Sequence, residues 1–178
     1  MAHVTVFCAG NPGNNPAHQE AARELGQAIA ARGHTLVYGG ANGGLMGIVA
    51  DSALGAGGKV IGVLPRVLEE REIAHRGLTE LKIVHTLAER KDVLLGLADA
   101  VVSLPGGLGT LDELFEAATW GQLSLKDFPI GVVSTEGYYD HLMTFLDRAE
   151  KDGLLLPQYR KLIQSAPTPT ALLDAFGI

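Results

Sequence analysis

Short apolar runs of strand length alternate with helical patterns along this chain, and that alternation restricts the fold more than any other feature. Residues 4–8 (VTVFC), 35–38 (TLVY), 59–64 (KVIGVL), 81–85 (LKIVH), 100–104 (AVVSL) and 129–134 (PIGVVS) read as strands. They are nearly continuous in apolar residues, as strands covered on both faces must be. A helix starts at Asn15 or Pro16 and carries Ala21, Ala22, Leu25, Ile29 and Ala30 on one face, with Gly33 ending it. Further helices are expected over 45–54, 87–97 and 138–152, after the glycines at 106–109, and over 170–176, whereas 159–164 has no decisive pattern. Strand–helix alternation of this kind predicts an α/β fold: a single-domain, doubly wound, Rossmann-like parallel sheet flanked by helices, over residues 1–178. No internal repeat, low-complexity tract or linker composition argues for a second domain.

In such sheets ligands bind beyond the carboxyl ends of the strands. The loops after the first, second and fifth strands are rich in Gly or Asn, so all three are expected on that edge. The stretch 103–120 (SLPGGLGTLDELFEAATW) is the most informative. Pro105 stops the strand, and Gly106, Gly107 and Gly109 permit a tight turn with uncovered N–H groups. Thr110 is the expected N-cap, with Glu113 completing a capping box. Leu111, Leu114, Phe115 and Ala118 recur as an expected buried face. A glycine turn feeding a helix N-terminus is an anion site, because orphan N–H groups and the helix dipole point the same way. The sixth position after Gly107-Leu108-Gly109 opens the motif is Asp112, not Gly, and no Gly-Lys-Ser/Thr occurs. A monophosphate therefore fits better than a dinucleotide or triphosphate. Two plainer readings stand beside this one: Glu113 as a capping carboxylate, and Arg90 with Lys91 as a solvated helix face beside Glu89 and Asp92.

Charge and residue usage exclude several classes. A net charge of −6 disfavours a nonspecific nucleic-acid binder. The six histidines show no metal-ligand spacing and no GxSxG elbow occurs, so neither a metal site nor a serine triad is expected. Cys8, the single cysteine, reads as a small buried hydrophobe. The N-terminal residues lack a basic signal segment and no apolar stretch is long enough for a membrane helix, so the expectation is a cytoplasmic protein without a membrane partner.

The residues at 105–113, PGGLGTLDE, resemble the PGGxGTxxE motif of the Lonely Guy (LOG) family, the cytokinin riboside 5′-monophosphate phosphoribohydrolases long mislabelled as lysine decarboxylases. Tyr38-Gly39-Gly40 through Gly43-Gly44-Leu45-Met46-Gly47 is similar to the family's YGGxxxGLMG. Gly62 to Pro65 with Arg71-Glu72-Ile73, Glu89-Arg90-Lys91, and Thr119-Trp120-Gly121-Gln122-Leu123 extend the resemblance over nearly the whole chain. Two departures are Ala9-Gly10-Asn11-Pro12-Gly13, where the family usually has a Gly-Ser-Ser-like loop, and Leu87, where it often has Met. The resemblance implies hydrolysis of the N-glycosidic bond of a nucleoside 5′-monophosphate, with AMP and N6-substituted AMP both candidate substrates. It implies Arg90 and Glu113 as the catalytic pair. Substrate contacts are implied at Glu72, Lys91, Gly106, Gly107, Leu108, Gly109, Thr110, Leu111, Asp112 and Thr119. No cofactor is implied. A homodimer is, with the helices after Leu87 and Thr110 completing the pocket and Arg71 and Glu72 reaching a neighbour's site. A non-catalytic nucleotide or molybdenum-cofactor carrier on the same fold is the competing reading; it would have no need of Glu113 with Arg90.

Overall fold

The apolar runs all become strands of one sheet, and residues 163–166 add a strand that the sequence does not announce. The computed structural model describes residues 1–69 and 74–178. The strands are β1 (His3–Phe7), β2 (Thr35–Tyr38), β3 (Lys59–Pro65), β4 (Glu80–Val84), β5 (Ala100–Ser103), β6 (Ile130–Val133) and β7 (Ile163–Ala166). All pair in parallel, in the order β4-β3-β2-β1-β5-β6-β7. β7 escaped the pattern because it is an edge strand: only Ile163 and Ala166 are buried, while Gln164 and Ser165 are exposed.

The helices are α1 (Pro16–Ala31), α2 (Gly44–Gly55), α3 (Arg66–Glu69), α4 (Leu87–Leu97), α5 (Leu108–Gln122), α6 (Asp140–Lys151), α7 (Pro157–Arg160) and α8 (Pro169–Phe176). The helix expected from residue 138 starts two residues later, after a 3₁₀ turn at Thr135–Gly137. Asn15 caps α1 by accepting from the Ala17 N–H at 2.9 Å, and Pro16 occupies the first helical position.

Continuous apolar strands are explained by two cores. Val4, Val6, Leu36 and Val102 face Leu25, Ile29, Val49 and Leu172 from α1, α2 and α8. Their neighbours Phe7, Val37 and Val101 face Leu94, Leu114 and Leu146 from α4, α5 and α6. Both faces of each central strand are thus buried, and alternate residues serve different cores. Gly26 allows α1 and α2 to pack at backbone contact, since a Cβ there would lie 2.4 Å from the Val49 carbonyl oxygen.

The strand order decides where a ligand can sit. From β1 the chain runs outward through β2 and β3 to β4, then returns to lay β5 on the other side of β1. The loops leaving β1 and β5 consequently lead to opposite halves of the sheet and leave a crevice between them. Backbone bonds brace its rim: the Ala9 N–H donates to the Pro105 carbonyl at 3.2 Å, and the Leu45 N–H to the Ala9 carbonyl at 3.1 Å.

Candidate active site

The helix after the glycine turn begins earlier than its capping signals suggest. α5 starts at Leu108, and its N-cap is Gly107, with no side-chain capping bond. Thr110 is the third helical residue, not the cap; it is buried, and Glu113 is not its capping partner. Gly107 holds the cap position with φ −104° and ψ −144°. The threonine lies against the preceding glycine: a Cβ on Gly106 would fall 2.0 Å from Thr110 Oγ1. The first-turn N–H groups of α5 therefore open directly at the crevice, without intrahelical partners. The buried stripe is correspondingly Thr110, Leu114 and Ala117; Leu111 and Ala118 are half-buried and Phe115 is exposed. A side-chain N-cap does exist, one helix earlier, with a carboxylate contact to the residue before the cap. Thr86 Oγ1 accepts from the Glu89 N–H at 3.0 Å, and the Glu89 carboxylate accepts from the His85 N–H at 2.7 Å.

Arg90 is no solvated residue. It is 8% exposed, its Nε donates to the Val63 carbonyl at 3.1 Å, and its Nη2 donates to the Gly39 carbonyl at 2.7 Å. A buried cation is tolerable only when hydrogen-bonded in this way. Gly39 is part of the same fit: a Cβ there would lie 2.2 Å from Arg90 Nη2 and 3.0 Å from Met46 Sδ.

A cavity of about 290 Å³ occupies the crevice, walled by Asn11, Met46, Arg90, Gly107, Thr110 and Glu113. Gly109 and Cys8 also line it. Burial raises the Cys8 thiol far above its ordinary range; the Glu113 charge adds to this and the Arg90 charge opposes it. Cys8 is thus an inert apolar wall that feels a carboxylate and a guanidinium together. One cavity offers helix N–H groups for an anion, a carboxylate in the second turn of the same helix, and an anchored cation. Among the described residues, no group of three or more His, Cys, Asp or Glu side chains could hold a metal ion.

The structure brings together Arg90, Gly107, Gly109, Thr110 and Glu113 from the predicted set. The others lie elsewhere. Lys91 is ion-paired with Asp112 at 3.0 Å and with Glu116, tying α4 to α5. The Glu116 hydrogen bond raises its pKa above 10.5, partial burial acts against it, and Asp112 adds to it. Gly106 lines a neighbouring cavity on the α1 side of the turn, while Leu108 is exposed and Leu111 half-buried. Thr119 is exposed far along α5, where its hydroxyl donates to the Phe115 carbonyl at 2.8 Å, beside a small groove against α6 and α7. Glu72, like Arg71, lies outside the described residues. Asn11, Gly39 and Met46 were missed as wall residues. Asn11 and Gly39 sit in glycine-rich loops noticed in the sequence and Met46 in the first turn of α2 just after one, but only the adjacency of β1, β2 and β5 makes them converge.

Comparison with known proteins follows the same lines. The family model described as "Possible lysine decarboxylase" matches residues 46–176. The chain is 43% identical over 170 residues to the probable cytokinin riboside 5′-monophosphate phosphoribohydrolase LOGL5 of Oryza sativa subsp. japonica, covering 96% of this chain and 69% of that protein. It is 41% identical over 170 residues to the cytokinin riboside 5′-monophosphate phosphoribohydrolase LOG1 of Arabidopsis thaliana, covering 96% and 80%. Among solved structures, the molybdenum cofactor carrier protein of Chlamydomonas reinhardtii superposes with a TM-score of 0.74 at 23% identity, over 98% of this chain and 95% of that one. That last likeness is one of fold.

Proposed function

The chain belongs to the LOG family, and on that premise we propose that it is a phosphoribohydrolase that cleaves the N-glycosidic bond of nucleoside 5′-monophosphates. Its products are a free adenine-type base and ribose 5-phosphate. The observation that carries this reading is the placement of Arg90 and Glu113 in one cavity with the N-terminus of α5. A 5′-phosphate seated on the first-turn N–H groups of α5 puts the sugar of the same nucleotide beside Glu113. Breaking the ribose–base bond builds positive charge on the sugar, and a carboxylate beside C1′ stabilises that charge and orients or deprotonates the attacking water. Arg90, seated on two backbone carbonyls, is a fixed rather than a swinging charge next to the reacting sugar. Phosphate binding is remote from the bond that breaks, so it supports the rate and not only the affinity.

Release of free base from AMP and from isopentenyl-AMP tests the activity and ranks the two bases. Glu113→Gln is expected to abolish release while retaining nucleotide binding. Full turnover by this variant would remove the carboxylate from the chemistry. Equal rates on nucleoside and monophosphate would remove the phosphate anchor. A carrier on the same fold would bind nucleotide and release no base.

The reading includes a homodimer in the cytoplasm. Leu108 and Phe115 on α5 and Leu123 just past its end follow one another at seven- or eight-residue steps and are exposed, as is Leu87 at the start of α4. A second copy over this stripe would cover them and place Thr119 at the interface. A monomer fully active at high dilution would remove the dimer from the reading.

A further inference from the structure

We propose that His75 is a positioning residue for Arg90, acting through the 39–41 turn whose carbonyl holds the guanidinium. The proposal rests on the hydrolase reading only in assigning Arg90 a part in turnover.

Gly39 presents the carbonyl that accepts from Arg90 Nη2, and it lies in a short loop after β2. That loop is held at adjacent residues by groups from other parts of the chain. The His75 N–H donates to the Gly40 carbonyl at 3.1 Å, and Ala74 forms an antiparallel bridge with Ala41. The Tyr38 hydroxyl donates to the Ala41 carbonyl at 3.1 Å. Gly40 itself has φ +80° and little room, since a Cβ would meet Leu64, Leu81 and the Val63 nitrogen at 3.3 Å.

The segment at 74–77 is in turn held by the His75 ring, which is 7% exposed. Its Nδ1 accepts from the Gly77 N–H at 3.1 Å, and its Nε2 lies 2.9 Å from Asp51 Oδ1 on α2. Because Nδ1 accepts, the ring proton sits on Nε2 and is donated to Asp51. A neutral imidazole therefore satisfies both bonds and ties the segment to a helix that is anchored independently by Val49, Ala50 and Ala53 in the core. The result is a relay of contacts from Asp51 through His75 and the Gly40 carbonyl to the seat of Arg90. Truncating the ring leaves the two cores intact and loosens the turn.

The test uses the full chain. With AMP as substrate, His75→Ala is expected to lower kcat about tenfold, the rate equivalent of about one hydrogen bond, with KM changed less than about twofold, because the phosphate seat on α5 is untouched. His75→Gln keeps a donor for Asp51 and is expected to recover part of the loss. Asp51→Asn keeps the acceptor and stays near wild type, whereas Asp51→Ala falls toward His75→Ala. In an Arg90→Lys background, His75→Ala is expected to add no further loss, as for residues that act through one another. The ¹⁵N-detected Arg90 Nη2–H signal, protected in the wild type by the Gly39 carbonyl, is expected to lose protection in His75→Ala. Unchanged kcat and an unchanged Arg90 signal in the His75 and Asp51 variants would overturn the proposal, as would losses that multiply with Arg90→Lys. A wild type that releases no base, with the Arg90 signal still responding to His75→Ala, would overturn the hydrolase reading and leave the positioning role standing. Should His75→Ala fail to fold, Asp51→Ala and His75→Gln carry the same comparison.

Discussion

Gly39→Ala separates the seat of Arg90 from its charge. The glycine is not among the positive-φ positions, so its backbone accepts alanine. The new Cβ would lie 2.2 Å from Arg90 Nη2, 3.3 Å from Arg90 Cζ and 3.0 Å from Met46 Sδ. These atoms are the far ends of long side chains, so the guanidinium and the thioether give way before the main chain does. Arg90 then leaves the Gly39 carbonyl, a charge-assisted bond of 2.7 Å whose loss is equivalent to about 1.5–3 kcal/mol. If that placement serves the transition state, kcat/KM falls roughly 10- to 150-fold. Stability falls less, because alanine restricts the unfolded chain and returns about 0.4–1 kcal/mol. The measurement is kcat/KM for base release from AMP set against denaturant unfolding of the same preparation. Gly55→Ala is the control, since its Cβ would meet nothing within 4 Å. Wild-type kcat/KM in Gly39→Ala, with Arg90 displaced from the residue-39 carbonyl, would refute the claim that this contact sets the geometry of the site.

Other outcomes follow from single contacts. Burial raises the Cys8 thiol, and Glu113 adds to it, so native protein at pH 8 is expected to resist iodoacetamide for hours and to react at once when unfolded. The Lys91 pKa is raised above 10.5, so its pairing stabilises fully below pH 10.5 and is lost as pH climbs through the raised value. The stability deficit of Lys91→Met against wild type should accordingly be constant from pH 7 to about 10 and shrink above that. Thr86→Ala removes the cap of α4 and is expected to lower unfolding stability by about 1 kcal/mol, read by denaturant titration.

Much of this protein was decided locally. Continuous apolar runs such as 100–104 become strands because every residue in them meets a core, and a period-independent run is readable without knowing the partners. The glycine turn at 106–109 and its helix were legible for the same reason, since φ/ψ freedom and orphan N–H groups are properties of the segment itself. Glu113 stood out only by its motif; by local rules it was a capping carboxylate, whereas the threonine that caps a helix in this region is Thr86, on the Glu89 N–H. The edge strand at 163–166 was not legible, because a strand half in water carries no apolar run. Nor could local pattern tell Arg90 from Lys91. Adjacent on one helix, one turns inward to the carbonyls of Val63 and Gly39, the other across to Asp112 and Glu116. Which of them enters the cavity depends on β1 lying between β2 and β5, an order fixed by pairing between segments far apart in sequence. The sequence alone determined most of the elements and the glycine turn, because those depend on neighbours a few residues away. Only the tertiary structure decided the site, because Arg90, Glu113 and the turn share a cavity through contacts between segments far apart along the chain.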